Sequence, residues 1–298
     1  MEKVAIVILN YLNYKDTIEC IESIKNQTYG NLETIVVENG STNESWKLIE
    51  DKYKGIEKIH LIKSEKNLGY AKGNNLGIKY GRTNLKTKFI LVANNDTVLR
   101  DNNLVSKLIE SYEPGVGIIG PRIIDPKNNE QNPMKLKFSD NLVYEQYKYL
   151  NSNKFKFINS NLVKSLKQTR MLYLLKKLKN ISGLHKNYHD KTVDESNILH
   201  GACMFLTKDY FDKYPCFYPN TFLYYEEVIM AALLKKAGLK SKFNGNAWIY
   251  HKEDQSSIMS FNNSSSVKIK HELNSMSMCM KLLELSYKEI CEEYFFNI

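Results

Sequence analysis

The side chains with the most chemical potential in this sequence stand directly after apolar runs. Asn10-Tyr11 follows VAIVIL, Glu38-Asn39-Gly40-Ser41 follows ETIVV, and Asn94-Asn95-Asp96 follows FILVA. Between the last two lies a glycine-containing stretch, NLGYAKGNN at residues 67–75, with Gly69, Lys72, Gly73 and Asn75. An acid such as Glu38 at a strand end can accept hydrogen bonds from a nucleoside. Glycines let the backbone approach a ligand closely. A lone acid such as Asp96 can hold a hard divalent cation that also takes diphosphate oxygens. Taken singly, each cluster has an ordinary structural reading: Asn-Gly-Ser is a common turn and Asn-Asp a common loop. Their succession in this order is what points to a site. Further along, Glu226-Glu227 follows the aromatic run FLYY, and His251 follows AWIY. Two acids opening a helix are also favoured by the helix dipole alone, and a strand-end histidine is also an ordinary structural residue.

The elements that must position these residues alternate. Apolar runs at 4–9, 33–37, 59–62, 89–93 and 116–119 read as strands. Helical patterns at 71–80 and 102–112 lie between them, and Asp16-Thr-Ile-Glu19 reads as a capping box opening a helix with Ile18, Ile21 and Ile24 on one face. Continuous apolar runs suit strands buried on both faces, so the alternation predicts a mostly parallel sheet flanked by helices, an α/β fold. In such sheets ligands bind beyond the carboxyl ends of the strands, which is where the clusters fall. An apolar run at 202–206, a helix at 226–237, a strand at 247–250 and a helical last thirty or so residues complete the pattern.

Together, VAIVILNY (4–11), VVENGSTNES (36–45), NLGYAKGNNLGI (67–78), LVANNDT (91–97), HGACMFLTKDYF (200–211), FLYYEEVIMAALLKKAG (222–238) and HKEDQSS (251–257) resemble the family 2 glycosyltransferases of GT-A fold. The resemblance is to the branch that includes bacterial rhamnosyl and related cell-surface sugar transferases. It implies an inverting enzyme that moves a sugar from a nucleotide-diphosphate donor, a UDP- or dTDP-sugar, to a hydroxyl of a glycan or lipid-linked acceptor. By the same resemblance Glu38 stands where the family has an Asp that contacts the base or ribose. Asp96 ends the metal motif and would bind Mg²⁺ or Mn²⁺ with the diphosphate, His251 would join that site, and Glu227 would be the base, with Glu226 as its alternative. Asn10, Tyr11, Asn39, Gly69, Lys72, Asn75 and Asn95 complete the expected donor site. The sequence departs from the family at Ile229 and Leu233, where a further Asp and an Arg are common; an apolar pair in place of a charge pair can be close to neutral in stability, and reads as a structural swap.

The rest of the sequence bounds the setting. Its 298 residues suit one α/β domain (1–257) carrying an insertion (126–194), with a C-terminal helical extension (258–298). Five scattered cysteines without a CxxC pair exclude a zinc cluster or disulfide framework and read as buried thiols. The formal charge of +9 is local, because from Lys148 to Lys191 there are eleven bases and a single acid, Asp190. Residues 162–180 can form a basic amphipathic helix, which suits an anionic membrane surface or packing over the acceptor cleft. No nucleic-acid-binding motif accompanies the charge. No apolar run of about 18 residues occurs and the N-terminus does not read as a secretion signal, so the expected location is the cytoplasm, peripheral to the inner face of the membrane. The C-terminal helical stretch reads as a packing or homodimer helix. A non-catalytic sugar-nucleotide-binding subunit is the rival function.

Overall fold

A computed structural model describes residues 1–135, 137–152, 198–253 and 265–296. Eight strands form one sheet: β1 (Val4–Asn10), β2 (Leu32–Asn39), β3 (Ile59–Ser64), β4 (Phe89–Asn94), β5 (Thr97–Val98), β6 (Val116–Ile124), β7 (Cys203–Leu206) and β8 (Lys240–His251), in the order β3-β2-β1-β4-β7-β6-β8-β5. Strands β3, β2, β1 and β4 are parallel; β7 runs antiparallel to both β4 and β6; β6 and β8 are parallel; and β5 closes the edge antiparallel to β8. The helices are α1 (Tyr14–Lys25), α2 (Ser45–Tyr53), α3 (Gly69–Thr83), α4 (Leu104–Glu110), α5 (Asp140–Asn151), α6 (Lys208–Phe211), α7 (Glu226–Ala237), α8 (Ser265–Glu284) and α9 (Tyr287–Phe296). This is the expected α/β architecture of GT-A type, with a mixed sheet and C-terminal helices.

The strand pleat sorts the core into two layers. Val4, Ile6 and Ile8 pack with Ile21, Ile49 and Leu104 on one side of the sheet, while Ala5 and Val7 pack with Ile78, Val92 and Leu234 on the other. Period-two alternation sends successive side chains to opposite faces, so a run that is apolar throughout feeds both layers. Helix α3 lies tight against β1 because it presents glycines there. A Cβ on Gly73 would sit 2.7 Å from Leu9 Cδ1, and one on Gly77 would sit 2.5 Å from Val7 Cγ1. That approach draws the 67–70 loop down onto the ends of β1 and β2.

Two expectations are corrected. The cap of α1 is Asn13, whose side chain accepts from the Asp16 amide at 3.4 Å, and the helix begins at Tyr14. Asp16 instead sits in the first turn and pairs with Lys252 Nζ at 2.6 Å, tying α1 to the end of β8. Strand β8 is also far longer than residues 247–250. Its first half, KSKFN, alternates exposed or half-buried with buried residues and is too polar to stand out; a register shift against β6 then separates it from the apolar second half. The basic helix expected over residues 162–180 lies outside the described residues. All five cysteines are free thiols, as expected, and Cys20, Cys203, Cys216 and Cys279 are buried. The apolar side of α8 is used within the chain: Met276, Cys279 and Leu282 are fully buried. Among the described residues no helix is long and apolar enough to cross a membrane.

Candidate active site

The carboxyl ends of β1, β2 and β4 are knitted together by buried side chains. Asn10, at the end of β1, donates to Glu38 Oε2 at 2.5 Å and accepts from Thr17 Oγ1 at 2.7 Å. Glu38 is 1% exposed, and its other oxygen accepts from the Ser41 amide at 2.8 Å. One carboxylate oxygen therefore holds the turn after β2, and the other ties the end of β2 to that of β1. Asn39 pins the glycine loop in turn, accepting from the Leu68 amide at 3.0 Å and donating to Asn67 Oδ1 and the Gly69 carbonyl. Asn95 ties the end of β4 to the start of α1, donating to Asn13 O and Thr17 Oγ1.

Above these ends lies a cavity of about 370 Å³, within the range typical of small-ligand sites, roughly 300–1,000 Å³. Of the residues expected in the site, Tyr11, Asn39, Gly69, Asn95, Asp96, Glu226, Glu227 and His251 line it. Asn10 and Glu38 lie beneath its floor. Asn75 lies away from it, clamping the Phe217 backbone in both directions at 2.8 and 2.9 Å. Lys72 is exposed on α3, outside the lining.

The pairing of β5 with β8 sets Thr97 opposite His251, and so brings His251 beside Asp96. Asp96 Oδ1 is buried and has no hydrogen-bond partner among the described residues, with His251 Nε2 at 3.4 Å. The tautomer of His251 follows from its other nitrogen. Gln131 donates through its amide nitrogen to Glu253, which leaves its amide oxygen to accept from His251 Nδ1 at 2.8 Å. A neutral His251 thus carries its proton on Nδ1 and aims the Nε2 lone pair at the Asp96 side. One orphaned carboxylate oxygen beside one oriented imidazole nitrogen is a donor set that fits a divalent cation. Among the described residues no group of three or more metal-binding side chains forms, so a cation here would need oxygens from a ligand or water to complete its shell.

Glu227, in the first turn of α7, accepts from the Gly201 amide at 3.1 Å. A Cβ on Gly201 would stand 2.6 Å from that same oxygen, so only glycine leaves the carboxylate in place. Glu226 is different. Its Oε1 is buried with no hydrogen-bond partner among the described residues, and the side chain also borders a small apolar void lined by Ile229 and Leu233. Burial, and then the neighbouring charge of Glu227, push its carboxyl up to about 8. Ile229 and Leu233 are themselves core residues, 3% and 1% exposed; the apolar swap noted in the sequence leaves Glu226 no counter-charge from those positions.

Several residues here carried no assigned role in the sequence. His200 accepts from the Ala202 amide through Nδ1 at 3.1 Å and meets the His251 ring edge-on at 5.5 Å; burial pulls its pKa down. Its place in the HGACMFL segment was the available signal. Gln131 and Glu253 gave none, because their roles arise from strand pairing. Tyr70 lines the cavity and donates to the Gly201 carbonyl at 2.9 Å. Phe222, Leu223, Tyr224 and Tyr225 form one wall. Tyr224 and Tyr225 both have positive φ, 75° and 65°, a left-handed conformation costing about 1–2 kcal/mol per residue for L side chains. Such strain collects at functional sites.

The cavity is acidic. Asp96, Glu226, Glu227 and Glu253 line it, and no lysine or arginine does so among the described residues. A diphosphate entering such a site meets carboxylate repulsion that a bound cation would offset.

Comparison with known proteins gives a family and a fold. The model of the family described as glycosyl transferase family 2 matches residues 4–213. The low-salt glycan biosynthesis hexosyltransferase Agl10 of Haloferax volcanii is 26% identical over 234 residues, covering 76% of this chain and 60% of that protein. Glycosyltransferase GlyG of Streptococcus pneumoniae is 29% identical over 118 residues, 40% of this chain and 38% of that one. The chain thus spans about 60% or less of the length of these curated relatives. Among solved structures, the mannosyltransferase PcManGT of Pyrobaculum calidifontis, in complex with GDP-Man and Mn²⁺, superposes with a TM-score of 0.54 at 11% identity, covering 99% of this chain and 73% of that one. TarS 1–349 of S. aureus, in complex with UDP, gives 0.50 at 12% identity, covering 94% and 69%.

Proposed function

This chain belongs to glycosyl transferase family 2, and from that premise we propose that it moves a sugar from a nucleotide-diphosphate donor to a hydroxyl of a glycan or lipid-linked acceptor, with inversion, in cell-surface glycan assembly. One observation carries the reading: the orphaned Asp96 oxygen with its oriented His251, and the Glu226-Glu227 pair, line one acidic cavity. The neighbours named above, solved with GDP-Man and Mn²⁺ or with UDP, support the ligand class, and the name of Agl10 supports a hexosyl-transfer role.

In the proposed mechanism Tyr11, Asn39 and the Gly69 loop receive the nucleotide, with Glu38 and Asn10 holding the turn that shapes its pocket. Asp96 and His251 would hold Mg²⁺ or Mn²⁺. When bound, that cation offsets the charge that builds on the leaving diphosphate. The acceptor hydroxyl attacks the anomeric carbon from the side opposite the nucleotide. Glu227, fixed by the Gly201 amide, takes the hydroxyl proton as the new C–O bond forms and the bond to diphosphate breaks. Glu226 stays protonated at neutral pH, so the pair presents one base and one neutral hydrogen-bond donor. The basic stretch at residues 162–180 would bring the enzyme to an anionic membrane where lipid-linked acceptors reside, and deleting residues 162–180 would reduce sedimentation with anionic vesicles.

The experiment is a thermal-shift and turnover panel of uridine-, thymidine- and guanosine-diphosphate sugars with Mn²⁺, run on the wild type and Asp96→Ala. The reading expects one nucleotide class to stabilise the wild type in a metal-dependent way and to be turned over, with turnover lost in Asp96→Ala by at least about 10³-fold. Metal-dependent binding without turnover of any donor would favour a non-catalytic binding subunit.

A further inference from the structure

The wall formed by residues 222–225 follows a path that its own sequence does not favour. Tyr224 and Tyr225 are left-handed, and Tyr225, at the N-cap of α7, makes no side-chain capping bond. What holds the segment comes from the far end of the chain. Helix α8 turns one face to it, at the i, i+3, i+4, i+7 spacing that defines a single helix face. Lys268 Nζ lies 5.1 Å from the centroid of the Tyr224 ring. The His271 ring stacks on Phe222 at 4.8 Å, with 21° between the planes. Ser275, fully buried, donates to the Leu223 carbonyl at 3.0 Å. Glu272, one turn beyond Lys268, lies near enough to Tyr225 that its charge adds to burial in pushing that phenol up to about 12. Three residues of one helix face, Lys268, His271 and Ser275, thus meet three consecutive residues of the cavity wall, Phe222, Leu223 and Tyr224.

The helix is itself anchored away from the cavity. Met276, Cys279 and Leu282 are buried in the core, and Lys236 of α7 donates to the carbonyls of Leu283 and Leu285 at 2.6 and 2.7 Å. Gly69 closes the other side of the wall: its φ is +79°, and a Cβ there would stand 2.4 Å from the Phe222 carbonyl oxygen. The wall is therefore gripped between α8 and the glycine loop. Its aromatic side chains suit the C–H face of a pyranose, since aromatic rings supply rigid apolar surface with a polar tip. The groups assigned above to nucleotide and cation belong to other elements, at the ends of β1, β2, β4 and β8 and in the Gly69 loop that borders the wall.

We propose that α8 is a positioning element for the acceptor side of the cavity, in which Lys268, His271 and Ser275 hold the 222–225 wall in the conformation that receives an acceptor sugar. This rests on the reading of the cavity as a sugar-transfer site. It makes His271 and Ser275 positioning residues, acting through Phe222 and Leu223.

The test compares wild type, His271→Ala, Ser275→Ala and the stacking-conservative His271→Phe in two measurements on the full chain. Hydrogen exchange reads the wall directly. Both alanine variants should speed amide exchange in residues 222–228 by about tenfold or more while leaving β1 and β4 unchanged, and His271→Phe should keep the wild-type rate. Transfer from UDP-glucose, dTDP-rhamnose or GDP-mannose to octyl glucoside or octyl mannoside reads the consequence. The alanine variants should raise the acceptor KM about tenfold and leave the donor KM within about twofold. Unchanged exchange in 222–228, or an equal rise in both KM values, overturns the proposal. A wild-type protein that turns over none of these donors counts against the sugar-transfer reading instead, and the exchange measurement then decides alone whether α8 holds the wall.

Discussion

The two sides of the cavity are built in different ways. The floor, at the ends of β1, β2 and β4, is held by short polar side chains that bond across the strand ends and to the loop and helix beside them: Asn10 on Glu38, Asn39 on the 67–69 loop, Asn95 on Thr17. The segment at residues 222–227 is strained at Tyr224 and Tyr225 and is held by groups outside those strand ends. These are Gly201 for Glu227, Gly69 for Phe222, and α8 for the aromatic run. A floor fixed by parallel strand register tolerates little variation in shape. A wall held by a separate helix can change without disturbing the floor. This division suits the proposed reaction, in which nucleotide and cation would meet the floor and the acceptor the wall.

The sharpest way to break this comparison is to disturb the wall at its base. Gly201→Ala places a methyl carbon 2.6 Å from a Glu227 carboxylate oxygen, which must then shift. It should lower kcat by about 10²-fold with donor affinity retained, because the base is displaced and the floor is not. Steady-state kinetics with separate donor titration checks it. A floor-side change of smaller effect is Gln131→Leu. It removes the acceptor that fixes the His251 tautomer and should weaken Mn²⁺ affinity about tenfold, read by calorimetry, with little effect on folding.

A still smaller effect concerns stability and separates Glu226 from Glu227. The Glu226 carboxyl is raised from 4.5 to about 8. Between those values the folded chain keeps a proton that the unfolded chain releases, so stability falls as pH rises from about 4.5 to 8 and levels off above that. Glu226→Gln removes this penalty. Its melting temperature should equal that of the wild type near pH 4.5 and exceed it by about 5 °C at pH 8. A difference independent of pH would mean that Glu226 is not held neutral.

The contrast between floor and wall also explains what was legible in the sequence. The apolar runs of β1, β2 and β4 announce themselves because strands buried on both faces have no polar residues to confuse the pattern. The polar clusters that follow them then fall at the carboxyl edge. Helix α7 was legible at both ends, from the paired acids at its start and Gly238 just past its close. Strand β8 was half hidden, since KSKFN lies in a polar stretch and its pairing partner is set by β6. Asn75 and Lys72 looked like ligand groups by their place in the glycine stretch. Helical geometry, with Gly73 facing β1, turns Lys72 out to solvent and Asn75 toward Phe217. The wall was least legible: no local rule gives consecutive tyrosines positive φ, and the forces that impose it come from a helix some fifty residues downstream.

In the proposed reaction Glu227 is the base opposite a cation held at Asp96. The most direct measurement is the single-turnover rate of Glu227→Gln beside that of Glu226→Gln, at saturating donor and Mn²⁺ and at neutral pH. A loss of about 10²–10⁴-fold is expected for Glu227→Gln with donor binding intact, and a far smaller loss for Glu226→Gln, whose amide mimics a carboxyl that is already neutral. A larger loss in Glu226→Gln than in Glu227→Gln would contradict it.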